Sequence, residues 1–209
     1  MIAALFVETG GCYFGLPDVD PWDEPRDARL YAGPHPVVAH PPCGPWGRYA
    51  ASHPITGSNY RELGQDQGCF EAALASLDYF GGVLEHPAHS KAWAAFGIPK
   101  PPHGGGWIRH GMLWTCYVEQ GHYGHFSRKP TWLLYQGFGN RPPELIRGQA
   151  EQRLPAYAVE RYGYEKARRI GVMAAVGGKN KTRIRNATPI PFRDILLSIA
   201  CTALQAEAA

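Results

Sequence analysis

The thiol of Cys43 and the carboxyl of Glu85 are the side chains of this 209-residue chain that are best placed for covalent chemistry. Cys43 follows Pro41-Pro42, and Glu85 comes two residues before Pro87. Because proline fixes its own φ and restricts the residue before it, both segments are expected to be stiff. A thiol can attack carbon, and a carboxyl can transfer a proton. The alternative for Cys43 is a loop that ends in a buried, unreactive thiol.

Both residues follow short apolar segments that are typical of buried strands. Val37-Val38-Ala39 leads through His40 to the double proline, and Val83-Leu84 leads directly to Glu85. A helical pattern lies between the two segments, and a strand–helix–strand succession favours parallel pairing. Cys43 and Glu85 are therefore expected at adjacent strand ends, facing one crevice.

The helix between the strands is predicted from apolar residues at helical spacing, which are Phe70, Ala73, Leu74 and Leu77. Asp66 is the predicted N-cap, and the helix is expected to run through Phe80. Gly81-Gly82 should end it, because glycine suits the left-handed conformation past a helix end.

Glycine and proline divide the rest of the chain into short elements. In chain order we expect a strand at 5–7, a glycine turn at 8–11, a mobile loop at 44–67, a loop at 97–111, an antiparallel hairpin of strands 114–120 and 130–135, a helix at about 159–175, a basic flexible arm at 177–185 and a final helix from Thr188. The apolar face of that final helix is predicted to contain Phe192, Ile195, Leu196, Ile199, Ala203 and Leu204.

Cysteine content and hydropathy bear on the compartment. The five cysteines are odd in number and form no C-x-x-C pair, which favours a reducing cytoplasm over a disulfide framework. The apolar runs are too short to predict a membrane span. The first residues lack the basic region of a signal peptide. We therefore expect a cytoplasmic protein without a membrane partner.

The charges are distributed unevenly. Residues 1–140 carry nine Lys/Arg against twelve Asp/Glu, whereas residues 141–193 carry twelve against four. A basic block beside a near-neutral body is typical of a polyanion partner, most simply a nucleic acid. The expected phosphate contacts are Arg48, Lys179, Lys181, Arg183 and Arg185, and Trp46 could stack on a base. The alternative is a solvated, arginine-rich surface.

The histidines occur in pairs whose spacing invites a metal hypothesis. The pairs are His86 and His89, His103 and His110, and His122 and His125. No cysteine or carboxylate stands at matching spacing beside them, so no metal site is predicted.

The order of the motifs resembles that of DNA cytosine-5 methyltransferases. The matching segments are Leu5-Phe6-Val7-Glu8-Thr9-Gly10-Gly11, Asp18-Val19-Asp20-Pro21-Trp22, Arg26-Asp27-Ala28, His40-Pro41-Pro42-Cys43, Val83-Leu84-Glu85-His86-Pro87, Gln120-Gly121-His122-Tyr123-Gly124 with Arg128-Lys129-Pro130-Thr131, and Thr188-Pro189 with Phe192-Arg193-Asp194. The likeness covers residues 1–135 and 183–204, and compact, bacteriophage-type members of the family are the most similar in style.

The resemblance implies an α/β fold with a Rossmann-like methyltransferase sheet. That sheet should be mostly parallel, carry an antiparallel hairpin and be reduced in its first βαβ unit. A single methyltransferase-like domain is expected over 1–209. Within it, residues 137–187 would form a basic irregular insertion in place of a full target-recognition domain.

The resemblance also implies roles for individual residues. Cys43 would add to C6 of a cytosine extruded from the helix or already in single-stranded DNA, and C5 would then take a methyl group from S-adenosylmethionine. Glu85 would donate a proton to N3, for which a desolvated pocket must raise its pKa. Arg128 or Lys129 would hold the base or a phosphate. The implied cofactor-binding residues are Phe6, Glu8, Thr9, Gly10, Gly11, Asp20, Trp22, Asp27 and Pro41.

Two departures from the family pattern leave alternatives open. Glu8 stands where the family places the first glycine of its turn, and only six residues separate Gly11 from Asp18. The S-adenosylmethionine pocket is then reduced or lost. The alternatives are a degenerate methyltransferase fold that acts as a DNA-binding or host-interaction module, and a C5-pyrimidine enzyme with another donor or a nucleotide substrate. The modified base, the recognition sequence and the oligomeric state are not predicted.

Overall fold

A computed structural model describes residues 1–47, 50, 62–154, 156–170 and 181–203. Several predictions from the sequence fall outside these ranges. They are Arg48, Lys179, Leu204, most of the loop predicted at 44–67, the end of the helix predicted at 159–175 and the first part of the arm predicted at 177–185. The side chain of Lys181 is not described either.

A seven-stranded mixed sheet with helices forms the body of the described chain, so the α/β class is confirmed. The strands are β1 (Ile2–Leu5), β2 (Val19–Trp22), β3 (Val37–Ala39), β4 (Gly82–Pro87), β5 (Gly106–His110), β6 (Leu113–Glu119) and β7 (Pro130–Gln136). Their order is β2-β1-β3-β4-β7-β6-β5. The pairings from β2 to β4 are parallel and those from β4 to β5 are antiparallel, three of each. The expectation of a mostly parallel sheet is therefore wrong for the described residues.

The parallel half forms where the sequence has its most apolar short runs. Val37, Val38 and Ala39 are fully buried, as a strand covered on both faces requires. Strand β3 pairs with β4 in the register Ala39 to Leu84, which confirms the predicted parallel pair. The next residues of both strands therefore leave the sheet at the same edge.

Six α-helices are described. They are α1 (Cys69–Phe80), α2 (Lys91–Ala95), α3 (Ala156–Tyr162), α4 (Tyr164–Ile170), α5 (Lys181–Asn186) and α6 (Ile190–Cys201). The sheet lies between α1 and α6: Phe70 and Leu77 of α1 pack on one face, and Phe192 and Leu196 of α6 pack on the other.

Asp66 was predicted as the N-cap of α1, but Gly68 stands at that position, and Asp66 stabilises the start of the helix from two residues earlier. Its carboxylate accepts hydrogen bonds from the backbone N–H groups of Gly68 and Phe70, and the helix itself begins at Cys69. Gly81, with φ of 72°, ends the helix as predicted.

Three other predictions need correction. Strand β1 ends at Leu5 rather than at residue 7, because Phe6 has a φ of 59°. Over its described residues, 159–170, the helix predicted at 159–175 is divided between α3 and α4, which are separated by Gly163 with φ of 73°. Part of the predicted basic arm is the helix α5, and the final helix begins at Ile190 rather than Thr188.

The loop predicted at 97–111 contains strand β5 at the edge of the sheet. Three consecutive glycines with positive φ, Gly104 to Gly106, precede and begin it. The strand is only half-buried, so it lacks the apolar alternation that identifies a strand in a sequence. The hairpin of β6 and β7 beside it was predicted correctly.

No helix among the described residues is long and apolar enough to cross a membrane.

Candidate active site

A cavity of about 630 Å³ opens at the carboxyl ends of β1, β3 and β4. Its walls include Cys43, Glu85 and Lys129, and the end of α5 and the residues that follow it, Arg183 and 186–188, also line it. The structure thus brings the thiol and the carboxyl to one crevice. The parallel register of β3 and β4 is the cause, because it delivers both strand ends to the same edge.

The carboxylate of Glu85 is held by two side chains. Its Oε2 lies 3.0 Å from Nδ1 of His40, and its Oε1 accepts a hydrogen bond of 3.1 Å from Gln120. Burial raises the pKa of Glu85, but the hydrogen bond from His40 and the positive charges of His40 and Lys129 lower it more. The net shift is downward, so Glu85 is ionised at neutral pH. The sequence-based expectation of a raised pKa is not met.

His40 was missed as a site residue, although it precedes the double proline. Its Nε2 lies 2.8 Å from the hydroxyl oxygen of Tyr13, a buried residue of the connection between β1 and β2. Burial raises the pKa of Tyr13 well above its ordinary value, so the phenol keeps its proton. The only sequence signal was a polar residue at the end of an apolar strand.

Lys129, rather than Arg128, is the hairpin cation at the cavity. Its Nζ donates to the carbonyl oxygens of Asn186 and Ala187, at 3.0 and 2.9 Å. Burial lowers the pKa of Lys129, and the charges of Glu85 and Cys43 oppose that shift. Arg128 points elsewhere: its Nε donates to the carbonyl of Ala150 and does not line the cavity.

His86 is a buried residue of the cavity lining. Its ring is stacked on Trp93 and meets Phe70 edge to face, and it is almost fully buried. Burial lowers the pKa of His86 to about 4, against the opposing effects of Glu85 and of the carbonyls of Pro42 and Pro41. The ring is therefore neutral at physiological pH and forms part of the floor of the site.

The residues predicted to bind S-adenosylmethionine do not share one surface. Phe6, Glu8 and Pro41 line the cavity, whereas the remaining ones do not; these are Thr9, Gly10, Gly11, Asp20, Trp22 and Asp27. Asp27 caps a short 3-10 helix and is ion-paired with Arg29.

The carboxylate of Asp20, one of the implied cofactor-binding residues, already accepts hydrogen bonds from other side chains. Asp20 accepts hydrogen bonds of 2.6 Å from Arg26 and 2.8 Å from Nε1 of Trp22. The guanidinium of Arg26 also lies 4.1 Å from the centre of the Trp22 ring and covers it. In this arrangement Asp20 and Trp22 do not fit the adenosine part of the cofactor.

The glycine turn is explained by its own geometry. Gly10 has a φ of 67°, and a Cβ on Gly11 would stand 2.8 Å from the carbonyl oxygen of Glu8. The buried Asp23 then accepts a hydrogen bond of 2.8 Å from the hydroxyl of Thr9 and ties the turn to the end of β2. The glycines are thus required by the turn itself, and Asp23 was overlooked because it follows the predicted motif.

Three of the predicted nucleic-acid contacts, Trp46, Arg183 and Arg185, have described side chains. Trp46 is 7 % exposed, donates to Asp66 and packs against Phe70, so it belongs to the core and not to a stacking surface. Arg183 is exposed and lines both the main cavity and a neighbouring one of about 520 Å³. Arg185 lies on the same helix but lines neither cavity.

Within the described ranges, no group of three or more His, Cys, Asp or Glu side chains is arranged to hold a metal ion. Comparison of the chain with protein-family models, with curated proteins and with solved structures finds no match to any of them.

Proposed function

We propose that this protein is a DNA (cytosine-5) methyltransferase-like enzyme that modifies a pyrimidine base at C5 through a covalent adduct of Cys43 at C6. The observation that carries the proposal is the shared cavity of Cys43 and Glu85 at neighbouring parallel strand ends. A volume of about 630 Å³ is ample for one extruded base. The mixed sheet, with three parallel and three antiparallel pairings, shares the α/β class that the motif order implies.

The adduct activates a carbon that is otherwise a poor nucleophile. The sulfur of Cys43 forms a bond to C6, the C5–C6 π electrons move to the C4–C5 bond, and the C4–N3 π electrons move to N3. N3 takes up one proton, which balances the proton lost by the thiol. The resulting enamine can attack an electrophile from C5. The N3 and C5 protons are then lost to bases, the C5–C6 double bond forms again, and the sulfur leaves as a thiolate. Lys129, near both Cys43 and Glu85, supplies a fixed positive charge at the site.

S-adenosylmethionine is the default methyl donor by resemblance. If bound, it would supply the electrophilic methyl group. The pairing of Asp20 with Arg26 and Trp22 does not favour its adenosine part, so the donor is left to experiment. A donor of another class would use the same enamine.

DNA is the proposed partner because basic side chains border the cavity. Arg183 and Lys129 line the same cavity as Cys43. Extruding a base from a duplex costs roughly a few kcal/mol, so a single-stranded or mismatched target would react more readily.

The test is covalent capture of a single-stranded oligonucleotide that contains 5-fluorocytosine, with and without S-adenosylmethionine. We expect the wild type to be captured when S-adenosylmethionine is present, because a methyl group added at C5 leaves fluorine in place of the removable hydrogen and the sulfur cannot then leave C6. Cys43→Ser should lose this capture. Cys69→Ser is the matched control, because Cys69 is also half-buried but lies at the start of α1, outside the cavity. Equal behaviour of the two variants would refute the proposal. Mass spectrometry of nucleosides from cells that express the protein would identify the product.

The second candidate function is a DNA-binding or host-interaction module with a degenerate fold. The engaged side chains of Asp20 and Trp22 favour it, since they suggest a lost cofactor site. It predicts salt-dependent DNA binding that is the same for the wild type and Cys43→Ser, with no capture of either.

A further inference from the structure

A continuous chain of side-chain hydrogen bonds crosses the floor of the cavity. The hydroxyl of Tyr13 lies 2.8 Å from Nε2 of His40, and Nδ1 of His40 lies 3.0 Å from Glu85. Gln120 donates to the other oxygen of Glu85 at 3.1 Å and is itself within 3.0 Å of the hydroxyl of Thr131. The four contacts join five residues from four parts of the chain: the β1–β2 connection, the end of β3, β4 and the hairpin of β6 and β7.

Both ends of this chain are closed to solvent. Tyr13, Gln120 and Thr131 are buried, and the last two cannot titrate. Only Glu85 and His40 retain some exposure, at 12 % and 14 % of their side-chain surfaces, and both line the cavity. A proton that enters or leaves the chain must therefore pass through this pair.

The hydrogen bonds allow His40 to change its charge without losing a partner. An ionised Glu85 only accepts, so Nδ1 of His40 carries a hydrogen. The hydroxyl of Tyr13 can donate to a bare Nε2, or it can rotate and accept from a protonated one. Both protonation states of the ring are satisfied in the same geometry.

We infer that His40 is a positioning residue that stores a proton for Glu85, and that the His40–Glu85 pair, not Glu85 alone, exchanges protons with the substrate. The inference rests on the proposed function and names a residue for the same site. It also removes a difficulty: a carboxyl that is ionised at neutral pH has no proton to give to N3, whereas a protonated His40 can pass one through it.

The proton balance of the step is closed. The pair takes up the proton that leaves the Cys43 thiol and releases one proton to N3 as the sulfur–C6 bond forms. The pair therefore begins and ends with the same number of protons. When the adduct breaks down, N3 returns its proton to Glu85 and the sulfur leaves as a thiolate that recovers one from the pair.

The groups that face the pair set its pH dependence. Tyr13 comes from the β1–β2 connection, Cys43 from the end of β3, His86 from β4 and Lys129 from the hairpin. The other charged or titratable groups on the cavity wall are Glu8, Cys12 and Arg183.

The experiment measures exchange of the C5 hydrogen of cytosine in a single-stranded oligonucleotide for deuterium from D₂O. Exchange needs the enamine of the adduct to take up a deuteron at C5 and then to lose the original C5 proton before the sulfur leaves, and it needs no methyl donor. His40→Asn keeps an N–H that can donate to Glu85 but cannot take up a proton. We expect exchange to slow by roughly 10²-fold, with KM for the oligonucleotide within about threefold of the wild type. We also expect the pH–rate profile of exchange to change shape, because the pair no longer shares a proton.

The double variant His40→Asn/Glu85→Gln should be no slower than Glu85→Gln, because residues of one relay are not additive. A wild-type rate and pH profile for His40→Asn would overturn the inference and leave the proposed function intact. No exchange above that of Cys43→Ser in the wild type would instead overturn the proposed function. If His40→Asn does not fold, Tyr13→Phe decides: it should change the pH–rate profile of exchange, and a profile like that of the wild type overturns the inference.

Discussion

The ammonium of Lys129 lies 2.9 Å from the carbonyl oxygen of Ala187, and it reaches the carbonyl of Asn186 at 3.0 Å. These carbonyls stand at the C-terminal end of α5, where a cation is favoured by the helix dipole. Lys129 therefore does two things: it places positive charge beside Glu85, and it holds α5 against the cavity with Arg183 on the wall.

This arrangement predicts that replacing Lys129 slows capture, whereas replacing its neighbour Arg128 does not. Lys129→Met should slow capture of the 5-fluorocytosine oligonucleotide by roughly 10²-fold, because a fixed charge is lost where charge develops. It should also raise the pKa of Glu85, since the charge of Lys129 contributes to lowering it. The measurement is the capture rate as a function of pH.

Arg128→Met is the matched control, because both side chains are half-buried and neighbours in sequence. Arg128 contacts Ala150 and approaches Glu119, away from the cavity. Its capture rate should stay within about threefold of the wild type. A larger loss for Arg128→Met than for Lys129→Met would show that the cations are assigned in the wrong order.

Arg183 is expected to contribute a phosphate contact. Arg183→Gln should weaken binding of a single-stranded oligonucleotide and reduce the slope of log K against log salt by about 0.7, the value for one phosphate. Arg29→Gln removes the same charge from a side chain that is ion-paired with Asp27, so its slope should not change. Fluorescence anisotropy at several salt concentrations measures both, and equal slopes would exclude Arg183 from the interface.

The sequence predicted the parts of the site that depend on local pattern. The apolar run before Cys43, the run before Glu85 and the helix between them each have a clear period, and together they determine which residues share a strand edge. The hairpin of β6 and β7 was predicted for the same reason.

What the sequence could not predict depends on contacts between distant segments. Tyr13 reaches His40 from a connection without helix or strand, and no spacing rule relates the two. The hydrogen bond that Asp20 accepts from Arg26 depends on the side-chain conformation of Arg26. The choice of Lys129 over Arg128 depends on the backbone at Lys129, which has a φ of 42°.

Because His86 is buried in its neutral form, the protein is expected to lose stability in mild acid. Its pKa is about 4 in the folded protein and about 6.5 in an unfolded chain, so the unfolded state binds the proton first. The contribution of His86 is complete above about pH 6.5 and falls as pH decreases toward 4, by up to about 3 kcal/mol. Burial also lowers the pKa of His125, which acts in the same direction.

The free energy of unfolding in urea at pH 7.5 and pH 5 measures this effect. His86→Phe keeps an aromatic ring between Phe70 and Trp93 but cannot titrate, so its stability should change less between the two pH values than that of the wild type. Below about pH 4.5 the wild type should lose further stability as Glu85 is protonated, because the pKa of Glu85 is lower in the folded state than in the unfolded chain. The same pH dependence in both proteins would argue against a buried neutral His86.

Gly82 is the residue that lets β4 approach β3 closely enough to place Glu85 beside Cys43. It has a φ of 120°, and a Cβ there would stand 2.0 Å from the carbonyl oxygen of Val37. Val37 is its direct partner in the parallel register, so the backbone cannot move aside without breaking the pair. Gly82→Ala should therefore lower the free energy of unfolding in urea by about 4 kcal/mol or more and reduce capture through misplacement of Glu85.

Gly139→Ala is the control, since Gly139 has a φ of 103° with no atom within 4 Å of an added Cβ. It should lower the free energy of unfolding by about 1–2 kcal/mol with capture retained. Equal costs for the two variants would mean that β3 and β4 are not paired in this register, and the shared cavity would lose its structural basis.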